Sequence, residues 1–191
     1  MNLKETLNKY VNLPEEVFSD LKEVITPQKL SKKGFFLKED EICSKMAFVE
    51  KGFLRAFEYD EKGNEKTIYF NFLEKNPIIC SFASFIDNTP STISIQALTD
   101  CELLVIFKQD LYSLYEKHPS MERLGRIIAE QNYLSALNRI RDFQYKSAKK
   151  RYQEIIELYP QLIQNVSSHH ISSYLGVTKH SLSRIKKDCL K

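Results

Sequence analysis

The residues with the clearest chemical potential lie near the C-terminus, in the segment VSSHHISSYLGVTKHSLSRIKKDCL. Lys179, His180, Ser181, Arg184 and Lys187 combine cations, an imidazole and a hydroxyl at helical spacing, away from the side marked by Leu182 and Ile185. Such a face suits a double-stranded polyanion. A guanidinium can bond both O6 and N7 of guanine, so Arg184 is the natural reader of a base edge. Lys179 and Lys187 suit phosphate, and His180 and Ser181 can meet either. Lys149, Lys150 and Arg151 can add backbone contacts from a preceding helix. The distribution of charge agrees: residues 139–191 hold 11 Lys and Arg against 4 Asp and Glu, net +7, whereas residues 1–138 carry net −4.

Other chemistries find little support. There is no GxGxxG, Walker or GxSxG motif and no Cys-His or paired-carboxylate arrangement, so no catalytic residue is assigned and the chain does not read as an enzyme. Cys43, Cys80, Cys101 and Cys189 show no CxxC pairing and read as isolated reduced thiols. His169 and His170 are adjacent, and on a helix such neighbours point about 100° apart, so no metal site is assigned. The N-terminus MNLKETLNKY lacks an apolar stretch of signal-peptide length. The longest apolar run, Leu103 to Phe107, is too short to cross a bilayer, so the expectation is a cytoplasmic protein with no membrane partner.

The cationic face needs a helical frame, and the local signals supply one. Ser167 or Ser168 can cap a first helix buried through Ile171 and Leu175. Gly176 supplies a turn, and Thr178 caps a second helix held through Leu182 and Ile185. Ser147 caps a helix over 147–159 that Pro160 ends. Upstream, 109–118 reads as a short helix. Ser120 is placed to cap a long helix from Met121 to about Tyr145, which would span on the order of 35 Å. Its apolar residues form two arcs. Leu124, Ile127, Ile128 and Leu134 lie on one, while Tyr133, Ala136, Leu137, Ile140 and Phe143 lie mainly on the other. One arc can pack on the chain itself and the other on a symmetry mate; a helix inside one monomeric core is the alternative.

Between Phe35 and Phe107 the pattern shortens to strand-length runs such as AFVE, FLRAFEY, KTIYFNF, TISIQAL and ELLVIF, predicting an antiparallel β domain. Gly34, Gly52 and Gly63, with Asp40, mark turns between strands, and Asp60 to Asn64 marks a hairpin. Residues 3–25 suggest two short helices meeting at Pro14.

Taken together, GFFLKEDEICSKMAFVEKGFLRAFEYDEKGNEKTIYF and YLGVTKHSLSRIKK resemble the sensor roll and recognition unit of the Crp/Fnr regulators. The resemblance implies an α+β chain. An N-terminal antiparallel β-roll of double-stranded β-helix or jelly-roll type, with flanking helices, occupies 1–119. A dimerisation helix follows at 120–145, and an all-α helix-turn-helix domain at 146–191. It also implies double-stranded DNA, a homodimer, RNA polymerase and a small effector as partners. The dimerisation residues expected are Leu124, Ile127, Ile128 and Leu134, and those of the effector pocket are Cys80, Ser81, Phe82, Ser91 and Thr92.

The pocket departs from the family pattern. Where cyclic-AMP-binding relatives carry Gly-Glu and Arg-Ser or Arg-Thr pairs, this chain has Cys80-Ser81 and Ser91-Thr92, so the charged partners of ribose and cyclic phosphate are missing. That argues against cyclic AMP and leaves a less charged molecule or no effector. No N-terminal cysteine cluster supports an Fnr-type iron–sulfur centre. The expectation is a homodimeric regulator on a pseudo-palindromic operator. The rivals are a cyclic-nucleotide-binding signalling module that does not read DNA and a constitutive, ligand-free regulator.

Overall fold

Pro14 has the extended backbone that precedes a helix, and it separates α1 (Leu3–Leu7) from α2 (Glu15–Val24), whose Val17, Phe18 and Leu21 turn inward. The computed structural model describes residues 3–189. Eight strands follow: β1 (Thr26–Leu30), β2 (Phe35–Leu37), β3 (Lys45–Lys51), β4 (Leu54–Tyr59), β5 (Glu65–Asn71), β6 (Ile78–Ile79), β7 (Ser94–Ala97) and β8 (Cys101–Phe107). They form two antiparallel four-stranded sheets, ordered β1-β8-β3-β6 and β2-β7-β4-β5. Val49, Leu103 and Val105 from the first sheet share one core with Leu54, Ala56 and Ile95 from the second, the expected roll.

Two elements of the N-terminal domain are not legible in the sequence. β1 contains Pro27, which lacks a donor; the strand survives because it lies at a sheet edge, pairing only with β8. The other is α3 (Phe82–Asp87), which ends at Asn88 in the left-handed conformation. Asp40 also takes a left-handed turn, as does Gly63 in the hairpin, where Asp60 Oδ1 accepts the Asn64 N–H at 2.8 Å. At KKGFF, however, Lys33 has the positive φ of 71° and Gly34 does not. Gly34 is there for space, since a Cβ would lie 2.8 Å from the Ser31 carbonyl oxygen.

The cysteines are not all isolated. Ala47 of β3 pairs with Ile79 of β6, and this brings Cys43 and Cys80 together inside the roll with their Sγ atoms 3.8 Å apart. Near the other sheet, the Arg55 guanidinium is 2% exposed, pairs with Glu65, donates to Gln96 at 3.0 Å and stacks on Phe57. Burying that charge is tolerable because a carboxylate and an aromatic face meet it.

Beyond the roll come α4 (Lys108–Lys117), α5 (Pro119–Tyr145), α6 (Ala148–Leu158), α7 (Pro160–Asn165), α8 (Ser168–Leu175) and α9 (Lys179–Cys189). The long helix begins earlier than expected. Pro119 takes its first position, so Ser120 lies within the first turn and is not the cap. Its 27 residues span about 40 Å. Ser147 does cap α6, its Oγ accepting from the Lys150 N–H at 3.2 Å. Pro160 ends α6 but also opens α7.

Candidate nucleic-acid interface

Helix α8 is capped by Ser167, whose Oγ accepts the His170 N–H at 3.3 Å. It stops at Gly176, left-handed with φ 69°. There the Gly176 and Val177 N–H groups bond the Ser173 and Ser172 carbonyls at 3.1 and 3.0 Å, satisfying oxygens that helical residues would leave open. Thr178 Oγ1 then accepts the Ser181 N–H at 3.1 Å and opens α9. Leu182 is fully buried and Ile185 half-buried, both in a second core with Tyr152, Ile155, Leu162, Val166, Ile171 and Leu175.

Anchored on that side, α9 turns Lys179, His180, Ser183, Arg184 and Lys187 to solvent. Ser181 differs from the expectation. It is half-buried, and its hydroxyl receives the Thr178 hydroxyl at 3.0 Å, so it is engaged in capping while Ser183 carries the outward hydroxyl. Lys186 reaches back to the Ser168 Oγ at 2.7 Å and ties the two helices together.

Of the preceding cations, Lys149 and Lys150 are exposed, but Arg151 is withdrawn from any outer partner. Its guanidinium donates to the Lys146 and Leu175 carbonyls and stacks on Phe143 of α5, 4.3 Å from the ring centroid. Arg139 of α5 adds a second clamp, stacking on Tyr174 and donating to its carbonyl at 3.3 Å. Gly176 sits against this cluster, and a Cβ there would approach Phe143 to 3.0 Å. Gly176→Ala therefore meets both a left-handed backbone and a neighbouring ring. The expected cost is about 1–2 kcal/mol, read as a lower melting temperature; an unchanged melting temperature would contradict this account of the corner.

The helical unit also rests on the roll. Ser173 Oγ accepts the Thr67 N–H at 2.9 Å and donates to the Glu65 carbonyl at 3.1 Å, occupying two backbone groups on the free edge of β5. Phe70 meets Tyr174 at 5.0 Å between ring centroids, and Phe72 joins the same C-terminal core. Between roll, α5 and α6 lies an open cleft of about 770 Å³, with Tyr69, Cys80 and Phe82 on one wall and Ser135 and Arg139 on another.

The expected dimerisation residues divide. Leu124 is 3% exposed in the roll's own core and Ile128 packs against it, so neither offers a free surface, and Ile127 is half-buried. Leu134 is exposed. Around it Tyr133, Leu137 and Ile140 form the apolar stripe that α5 leaves uncovered. The arcs divide this way because the first turns of α5 lie on the roll, while its later turns project past it.

Residues 27–118 match the family of the cyclic nucleotide-binding domain. No curated protein matches the chain by sequence. Among solved structures, FixK2 from Bradyrhizobium japonicum is similar at 18% identity and TM-score 0.72, covering 86% of this chain and 84% of its own. The c-di-GMP-responsive regulator CLP from Xanthomonas campestris is similar at 13% identity and TM-score 0.72, covering 93% and 92%. A Crp/Fnr-family protein from Eubacterium rectale is similar at 16% identity and TM-score 0.69, covering 91% and 82%. The chain has the Crp/Fnr fold, with a cyclic nucleotide-binding domain as its roll.

Within this cyclic nucleotide-binding domain the expected effector residues do not form one open site. Ser81 and Ser91 are brought together, but both are buried, with the Ser91 hydroxyl 2.9 Å from that of Ser81 and 2.8 Å from the Ile93 carbonyl. Thr92 is exposed and donates to Glu58 at 3.2 Å. Cys80 and Phe82 instead line the cleft toward α5. Two mutually bonded hydroxyls supply no positive charge for a cyclic phosphate, so these residues do not fit that group. Among the described residues, no helix is long and apolar enough to cross a membrane.

Proposed function

We propose that this Crp/Fnr-fold chain is a DNA-binding transcription regulator acting as a homodimer on a two-fold symmetric operator. The observation that carries the reading is the two-sidedness of α9: Leu182 and Ile185 fasten it to the second core while Lys179, His180, Arg184 and Lys187 face solvent at its exposed side. Arg184 reads a base edge in the major groove. Lys179 and Lys187, with Lys149 and Lys150 of α6, neutralise phosphates. Leu134, Tyr133, Leu137 and Ile140 supply the dimer seam, pairing two copies of α5 so that two readers meet successive major grooves about 34 Å apart.

A signal can reach the reader through the contacts of α8 with β5, since Ser173 and Tyr174 join the helix-turn-helix directly to a strand of the roll. A molecule in the cleft beside Cys80 and Phe82 would favour whichever arrangement it binds better.

Selection from a random duplex pool tests the reading. Palindromic half-sites one helical turn apart should be enriched, and affinity for the selected duplex should fall steeply with salt, with a log–log slope on the order of −5 or steeper. Folded protein that enriches no sequence over the starting pool would leave the roll as a signalling module only.

A further inference from the structure

We propose that Cys43 and Cys80 are a reversible thiol–disulfide pair, oxidised by a peroxide that reaches it through the cleft between the roll and α5. Cys43 lies just before β3 and Cys80 just after β6. The 3.8 Å between their sulfurs must shrink to about 2.05 Å for the bond to form. The other two thiols lie elsewhere: Cys101 begins β8, with its thiol on the Thr99 and Phe53 carbonyls, and Cys189 ends α9. Both members of the pair are buried, yet Cys80 belongs to the cleft wall, which a molecule the size of hydrogen peroxide can enter.

The two sulfurs share a hydrogen bond, and the Cys43 thiol also donates to the Lys45 carbonyl at 3.2 Å. The shared bond draws one thiol of the pair toward ionisation and holds the proton on the other, while burial opposes the charge on both. The sulfur that ionises first is the nucleophile and the other is the resolving thiol.

The thiolate attacks one peroxide oxygen. An S–O bond forms, the O–O bond breaks, and the departing hydroxide takes a proton to leave as water. The resolving sulfur then attacks that of the sulfenic acid, and the S–S bond forms as the S–O bond breaks. Its proton leaves with the hydroxide as a second water. Two thiols are oxidised, one peroxide is reduced, and a dithiol reductant reverses the bond by exchange.

The bond would also act on the cleft. The Cys80 carbonyl accepts the Tyr69 hydroxyl at 3.2 Å, and Ser81, the next residue, meets Ser91, so drawing Cys80 toward Cys43 shifts the wall that faces α5.

The full chain treated with hydrogen peroxide, quenched, unfolded and alkylated should lose two of its four free thiols and yield a peptide pair linked through Cys43 and Cys80, cleared by dithiothreitol. In Cys80→Ser and Cys43→Ser, dimedone should instead trap a sulfenic acid on the remaining member of the pair in at least one of the two variants. The unsubstituted protein decides the matter should those variants not fold. Full alkylation of both residues after an exposure that oxidises Cys189, or linkage of Cys43 to a different cysteine, overturns the proposal. The assay reads sulfur alone, so its outcome is independent of whether the chain binds DNA.

Discussion

Replacing Leu137 and Ile140 together by Asp is expected to convert the proposed dimer into a monomer while leaving each protomer folded. The two side chains are 43% and 56% exposed on the chain itself, so an acid there costs the fold little. In the proposed seam both would be covered, and in both copies. At about 2 kcal/mol for each covered aliphatic side chain, four of them amount to about 8 kcal/mol, or roughly a millionfold in the dimer dissociation constant. Sedimentation velocity at micromolar concentration should show a single species of half the parent's mass, with a nearly unchanged melting temperature. Leu124→Asp makes the control. That side chain is inside the roll, so the same charge should unfold the protein and not merely divide it. A double variant that sediments like its parent would remove α5 as the seam.

Arg184→Ala is the second large effect expected. A bidentate guanidinium bond to guanine is worth about 1–3 kcal/mol of discrimination, so each reader should lose roughly 5- to 150-fold for the selected operator. The proposed dimer carries two readers, so the losses should multiply. Binding to unrelated duplex should fall much less. Lys187→Ala provides the contrast: a lysine on phosphate should weaken all sequences alike, and its removal should lower the salt slope by about one for each phosphate it had neutralised. Arg184 is exposed and outside the second core, so stability should not change. Equal affinity of parent and Arg184→Ala for the operator would assign the reading to another residue of α9.

How these side chains come to be where they are divides along a physical line. The ends of α6, α8 and α9 can be read directly, because Ser147, Ser167, Thr178 and Gly176 each complete a hydrogen bond within a few residues of chain. The Asp60 hairpin is local in the same way. Local signals still mislead where two neighbours compete. Ser120 has the chemistry of a cap, but Pro119 takes the first helical position; Ser181 has the chemistry of a reader, but Thr178 engages its hydroxyl.

The sequence by itself determined an antiparallel β domain, the long helix and a two-sided terminal helix, since strand alternation, helical period and capping are all short-range. Only the tertiary structure decided which arc of α5 is covered, that Arg151 clamps helices together, that Ser81 and Ser91 close on each other, and that Cys43 lies beside Cys80. Periodicity says that a face must be covered. What covers it is set by chain closure across tens of residues, as when Ser173 of α8 finds the open edge of β5.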